Sequence, residues 1–200
     1  MPDISLTDFV DFVIKSGTPK LTKIRAIKNR PDYEPALDFW KQLREGIQRF
    51  HRAGAGDKTQ LDDIVNSLQN PRKSSRYFAA VSGYKKFLGR RNIRWFTPPT
   101  GDWSYGDLSV KVNPELGLRI EGDRHLVKLY FKDEAPTKNR LEIVSEMMKL
   151  ALSAKTPQGT KMAVLDVSKA KLYTQTVTIP QLAVLLEGEA AAFLRMWESV

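Results

Sequence analysis

The densest run of chemistry-bearing side chains is Arg72–Phe96, "RKSSRYFAAVSGYKKFLGRRNIRWF". It holds eight Lys+Arg and no acid, interleaved with Tyr77, Tyr84, Trp95 and Phe96. A second run, "IKSGTPKLTKIRAIKNR" at Ile14–Arg30, holds six cations and again no acid. Guanidinium forks and lysine point charges suit phosphate oxygens, and aromatic rings stack on unpaired bases. Tyr77 and Tyr84 follow the apolar spacing of their own segment and are expected in the core. Arg72, Lys73, Lys85, Lys86, Arg90, Arg91 and Arg94 are the expected phosphate contacts.

Other reactive groups are sparse. There is no cysteine, so disulfides, thiolate metal sites and cysteine nucleophiles are all excluded. His51 and His125 stand alone, and His51 is read as a solvated or capping residue at a helix end. "GAGDKT" follows a helix rather than a strand, so it is no dinucleotide fingerprint, and no Walker loop, HExxH or nucleophile elbow occurs. Asp166, an acid inside the apolar stretch "MAVLDVS", is read first as the residue that ends a strand, with a site role as the alternative.

Two hundred residues at 42% hydrophobic composition suffice for one large domain or two small ones. The net charge is +9, and residues 1–100 carry all of it, with 19 Lys+Arg against 10 Asp+Glu; residues 101–200 balance at 13 against 13. Such asymmetry points to a polyanion surface. Apolar runs are too short to span a membrane. The N-terminus "MPDISLTDFVDFVIKSG" has acids where a secretory leader needs a basic start, which predicts a cytoplasmic protein.

The elements that must position these groups change period near residue 97. Before it the spacing is helical. Ser5 and Asp8 form a capping box ahead of Leu6, Phe9, Val10 and Val13, and Gly17–Pro19 separates this helix from a short basic one. A third helix is expected from Pro35 with Leu37, Trp40, Leu43, Ile47 and Phe50 on one stripe. Asp57 caps a fourth, Pro71 breaks it, and a fifth runs from about Ser74 to Leu88. Beyond residue 97, "DLSVKV", "LGLRIEG" and "HLVKLYFK" alternate as strands, the last two closed by Gly122-Asp123. A helix over Thr137–Ser153, strands at "KMAVLDV" and "KLYTQTV", and a helix opened by Pro180 complete the chain.

Taken from the fifth helix, this order is α-β-β-β-α-β-β-α. Its first six elements resemble the αβββαβ core of the PD-(D/E)xK nuclease superfamily. In that family an acid on the second strand and an acid-x-Lys on the third hold a divalent metal and orient the attacking water. The resemblance sets Glu121 against the second-strand acid and Lys128 against the lysine. Leu126 and Tyr130 stand where acids would precede Lys128 and Lys132, so the acid-x-Lys is missing. The resemblance therefore implies a nuclease-like core that binds without cutting, with magnesium or manganese entering only if the metal site has been displaced.

The fold expected is α+β, with a basic helical region over 1–71 packed on a mixed sheet domain over 72–200. Nucleic-acid binding, DNA ahead of RNA, is the expected function. The alternatives are a regulatory module whose basic face docks an acidic protein, and a metal-dependent nuclease with a displaced site.

Overall fold

The structure, a computed structural model, describes residues 1–31, 38–68, 71–175 and 179–200, apart from the side chains of residues 71 and 72. The chain opens with β1 (Asp3–Ser5) and α1 (Leu6–Val13), followed by α2 (Thr18–Lys28) and α3 (Lys41–Arg52). A 3-10 turn at Lys58–Leu61 then leads into α4 (Asp62–Asn66) and α5 (Pro71–Leu88). Ser5 caps α1 as its spacing with Asp8 predicts: its Oγ accepts from the Asp8 backbone N–H at 3.1 Å and donates to Asp8 Oδ2 at 2.7 Å. The cap satisfies one of the orphan donors of the first turn. Asp57 caps the 3-10 turn rather than α4 itself. Pro35 and Leu37 lie outside the described residues. Pro71 opens α5 instead of merely ending the helix before it, because its missing N–H costs nothing at a helix start.

The strands are β2 (Ile93–Phe96), β3 (Gly101–Tyr105), β4 (Leu108–Val112), β5 (Leu116–Ile120) and β6 (Asp123–Tyr130). After α6 (Lys138–Leu152) come β7 (Lys161–Asp166), β8 (Lys171–Thr174) and α7 (Leu182–Glu198). Five strands, not three, thus separate α5 from α6. Two of them leave the main sheet: β3 and β4 join β1 in a three-stranded sheet ordered β1-β4-β3. The main sheet runs β2-β5-β6-β7-β8, antiparallel except for the parallel β6–β7 pair. "DLSVKV" is therefore a strand of the small sheet. The first strand of the large one is "IRWF", hidden inside the basic segment.

Helices cover both faces of the main sheet. On one face Leu116, Leu118, Val127, Leu129, Ala163 and Leu165 pack with Leu43, Ile47, Tyr77, Val81 and Tyr84 of α3 and α5. On the other face Leu126, Met162 and Val164 pack with α1, α6, α7 and the small sheet. Residues on both sides of position 71 contribute to each core. The period-2 prediction for β6 holds: Val127 and Leu129 lie under the α3–α5 layer, while Lys128 shares the opposite face with Leu126 and Tyr130. Phe131 is half-buried and packs on the α3–α5 side. The architecture is α+β. Among the described residues no helix is long and apolar enough to cross a membrane.

Candidate functional site

The β5–β6 hairpin decides which acid meets Lys128. Its two-residue turn is Glu121-Gly122, with φ of 49° and 96°, rather than Gly122-Asp123. Positive φ at both central residues is the hairpin geometry that matches strand twist. Leu116 therefore pairs with Val127, and the residue before Leu116 stands opposite Lys128. That residue is Glu115. Lys128 Nζ donates to Glu115 Oε1 at 2.6 Å and to the Asn113 carbonyl at 3.2 Å. Glu115 Oε2 accepts from the Leu129 backbone N–H at 2.8 Å, so the carboxylate continues the ladder where β5 has not yet begun. Gln48 of α3 holds the Glu115 carbonyl at 2.9 Å. The pair is nearly enclosed, with side chains 15% and 12% exposed.

This corrects the assignment of Glu121. It is a turn residue at the far end of the hairpin, and its carboxylate accepts from the Asn92 backbone N–H at 2.9 Å. Asp166 ends β7: Oδ1 accepts from Ser168 Oγ at 3.0 Å and from the Lys169 N–H at 3.1 Å, in an Asx-type turn. Its other oxygen is buried without a partner among the described residues.

Around Glu115 and Lys128 lies a cleft of about 570 Å³ at the carboxyl end of β6. Arg30, Arg44, Lys128, Lys132 and Arg140 line it, against the carboxylates of Asp38 and Glu115. Its cations are held in place by ion pairs. Arg44 grips Asp38 with both terminal nitrogens, at 2.5 and 3.2 Å. Arg30 does the same to Asp8, at 2.7 and 2.9 Å. Asp11 holds Arg140 at 2.6 Å and Lys132 at 3.3 Å, and Lys23 bridges to Asp8 at 3.0 Å. Burial would raise the Asp8 carboxyl, but hydrogen bonds from Arg30, Ser5 and Lys23 outweigh it and hold the group well below the usual carboxylate range. Asp11 is lowered in the same way, Arg140 acting against its burial. Both acids are therefore ionised at neutral pH, and the cleft keeps a positive excess. Trp40 supplies one wall, its ring stacked on Phe131 at 4.7 Å and on Tyr77 at 5.4 Å.

The cations expected from sequence divide into two sets. Lys85 pairs with Asp62 at 2.7 Å, Arg91 lies over the Phe87 ring and donates to its carbonyl, and Lys73 donates to Gln42 at 3.3 Å. Lys86, Arg90 and Arg94 are exposed. The Arg72 side chain lies outside the described residues. None of the described side chains of this set lines the cleft. His51 is neither solvated nor a cap: it is 1% exposed and shares a 2.5 Å hydrogen bond between Nε2 and the Tyr84 hydroxyl. Its stripe on α3 turns inward one residue past Phe50, under the Trp95 ring.

Sequence reasoning missed Glu115, Asp38, Arg44 and Arg140, and named Arg30 only as the end of the second basic run. For Glu115 a signal existed, because a turn placed one residue earlier pairs it with Lys128. Among the described residues no group of three acidic or histidine side chains converges as a metal-holding set. A second pocket of about 500 Å³ beside α6 and β7 contains Glu146, whose ion-pair partner is Lys149 at 3.8 Å, and it gathers no comparable set of charges. No family model matches the chain, and no curated protein and no solved structure matches it.

Proposed function

We propose that the protein binds nucleic acid, DNA ahead of RNA, through the cleft beside Glu115 and Lys128, and that its core is nuclease-like without the carboxylates that cleavage requires. The observation that carries this reading is the lining of the cleft: five cations, against Asp38 and Glu115 in the lining and Asp8 and Asp11 behind it, beside an aromatic wall at Trp40 and Phe131. The forks of Arg30 and Arg44 are taken by Asp8 and Asp38, but a guanidinium carries five N–H donors and keeps some for phosphate. A ring face suits a base. Two further features support the nuclease-like part. With the small sheet set aside, the chain order α5-β2-β5-β6-α6-β7 is αβββαβ. Glu115 also provides the acid beside Lys128 that Glu121 does not. Against cleavage stands Leu126, fully buried in the apolar core at the position where the nuclease motif has an acid.

Fluorescence anisotropy of a labelled DNA duplex, titrated between 50 and 200 mM salt, tests the reading. Each phosphate contact contributes about 0.9 to the fall of log K with log salt. Replacing Arg30 and Lys132, each about half exposed, with alanine is expected to flatten the slope by about 1.8. An unchanged slope would remove the cleft from the interface. Failure of the parent protein to bind at low salt, together with binding of polyglutamate, would favour an acidic protein partner instead.

The proximity of Glu115 to Lys128 favours one second reading, a metal-dependent nuclease with a displaced site. It requires cleavage of duplex or single-stranded DNA with magnesium or manganese, abolished by Glu115→Gln. Intact substrate under those conditions rejects it.

A further inference from the structure

Three arginines form a row across the main sheet, at the end of β6 away from the cleft. Arg94 of β2 is paired in register with Arg119 of β5, and Arg119 with Arg124 of β6. Directly opposed residues project from the same face. With strands about 4.8 Å apart, the three side chains leave the sheet over about 10 Å. Arg94 and Arg119 are exposed and Arg124 is half-buried.

No carboxylate among the described residues forms an ion pair with these three arginines. Among the described residues, Arg119 donates to the Gly122 carbonyl at 3.2 Å and Arg124 lies 5.1 Å from the centre of the Phe96 ring. The acids at this end of the hairpin are engaged elsewhere: Glu121 accepts from the Asn92 N–H, and Asp123 pairs with Lys161 at 2.6 Å. Like charges directly opposite one another in a sheet repel, so the row is a cost to the folded state.

Beside the row the β2 and β5 strands approach closely. Gly117 faces Phe96 across the β2–β5 pair, and a Cβ there would come within 2.8 Å of the Phe96 ring. Without that Cβ the ring lies against the β5 backbone, and the Arg124 guanidinium stacks above it. The result is three arginines rooted at strand spacing beside one half-buried aromatic ring.

We propose that the in-register row Arg94–Arg119–Arg124 is a second nucleic-acid contact, which grips the sugar–phosphate backbone independently of sequence. The proposal rests on the nucleic-acid reading of the cleft and adds a separate surface to it. Guanidinium forks match phosphate oxygens bidentately. Evenly spaced cations on a stiff sheet suit a backbone that carries its charge at regular intervals.

The test uses the full chain and a fluorescein-labelled 20-base-pair DNA duplex, with anisotropy read from 50 to 200 mM KCl. The triple variant Arg94→Gln, Arg119→Gln, Arg124→Gln is expected to flatten the log K against log salt slope by about 2.7, three contacts at about 0.9 each. Its melting temperature should equal or exceed the parent's, because repulsion within the row is relieved. The single variant Arg119→Gln should show about a third of the slope change. A triple variant with the parental slope, while the Arg30 and Lys132 variant loses its own share, overturns the row and leaves the cleft reading standing. A parent protein that fails to bind the duplex at 50 mM overturns both. A lowered melting temperature in the triple variant, with the parental slope retained by Arg119→Gln, overturns the row as a binding surface and makes it a structural feature.

Discussion

Acidification from pH 6.5 to pH 4 is expected to remove about 3 kcal/mol of folding stability through His51 alone. Burial pushes this imidazole from its ordinary 6.5 down to about 4. In that window the unfolded chain takes up a proton that the folded protein refuses, so stability falls as pH falls. The contribution is complete above 6.5 and gone below about 4. The cause is visible in the packing: the ring is 1% exposed, one nitrogen is bonded to the Tyr84 hydroxyl, and Nδ1 is buried with no partner among the described residues. His125, also lowered by burial, acts in the same direction. Asp8 and Asp11 respond later. Their carboxyls are depressed, so their stabilisation is complete above the usual carboxylate range and is lost only as pH falls below it. Urea unfolding at pH 7, 5.5 and 4 checks this, with His51→Gln as the reference because an amide can still bond Tyr84. The parent should lose about 3 kcal/mol more than the variant across the window. Parallel curves would place the titration elsewhere.

Gly83→Ala is expected to destabilise the fold by about 2–3 kcal/mol, against the sign that helix propensity gives. In an exposed helix the change from glycine to alanine gains about 1 kcal/mol. Here α5 lies directly on the turn between β7 and β8. A Cβ at Gly83 would stand 2.1 Å from the Val167 carbonyl oxygen and 2.9 Å from that of Ser168. Both obstacles are backbone, so no side chain can swing aside, and the helix must lift off a core in which Tyr84 and Phe87 are fully buried. Ser82→Ala, on the exposed side of the same turn of helix, is the control and should be neutral or slightly stabilising. Denaturant midpoints for the two variants should move in opposite directions; a stabilised Gly83→Ala would mean that α5 does not approach the turn so closely.

Gly83 and Glu121 show where the sequence stops being informative. Gly83 sits in a helical pattern like any other mid-helix glycine, and only its approach to Val167 distinguishes it. A hairpin turn placed one residue late makes Glu121 a strand acid, whereas it is the first residue of the turn. In an antiparallel pair that slip moves every partner by two, so Lys128 would face Gly117 rather than Glu115. One turn residue thus separates the observed pairing of Glu115 with Lys128 from its absence.

Local patterns determined a good deal by themselves. The Ser5–Asp8 spacing specified the start of α1, and the apolar stripes placed Leu43, Ile47, Tyr77, Val81 and Tyr84 in the core. Alternation along "HLVKLYFK" set which side chains of β6 lie under the α3–α5 layer. These features depend on neighbours within a few residues, and helical or strand periodicity reports them directly. Tertiary structure decided the rest. It sent β3 and β4 into a second sheet with β1, drew "IRWF" out of the basic segment to be an edge strand, and gathered Lys23, Lys132 and Arg140 around the Asp11 carboxylate. It also aligned Arg94, Arg119 and Arg124, whose sequence positions share no obvious spacing. The physical reason is that periodicity states which face of an element is apolar, not which distant element will cover it. Strand partners, helix docking and the charges that meet across them are set by packing among residues tens to more than a hundred positions apart.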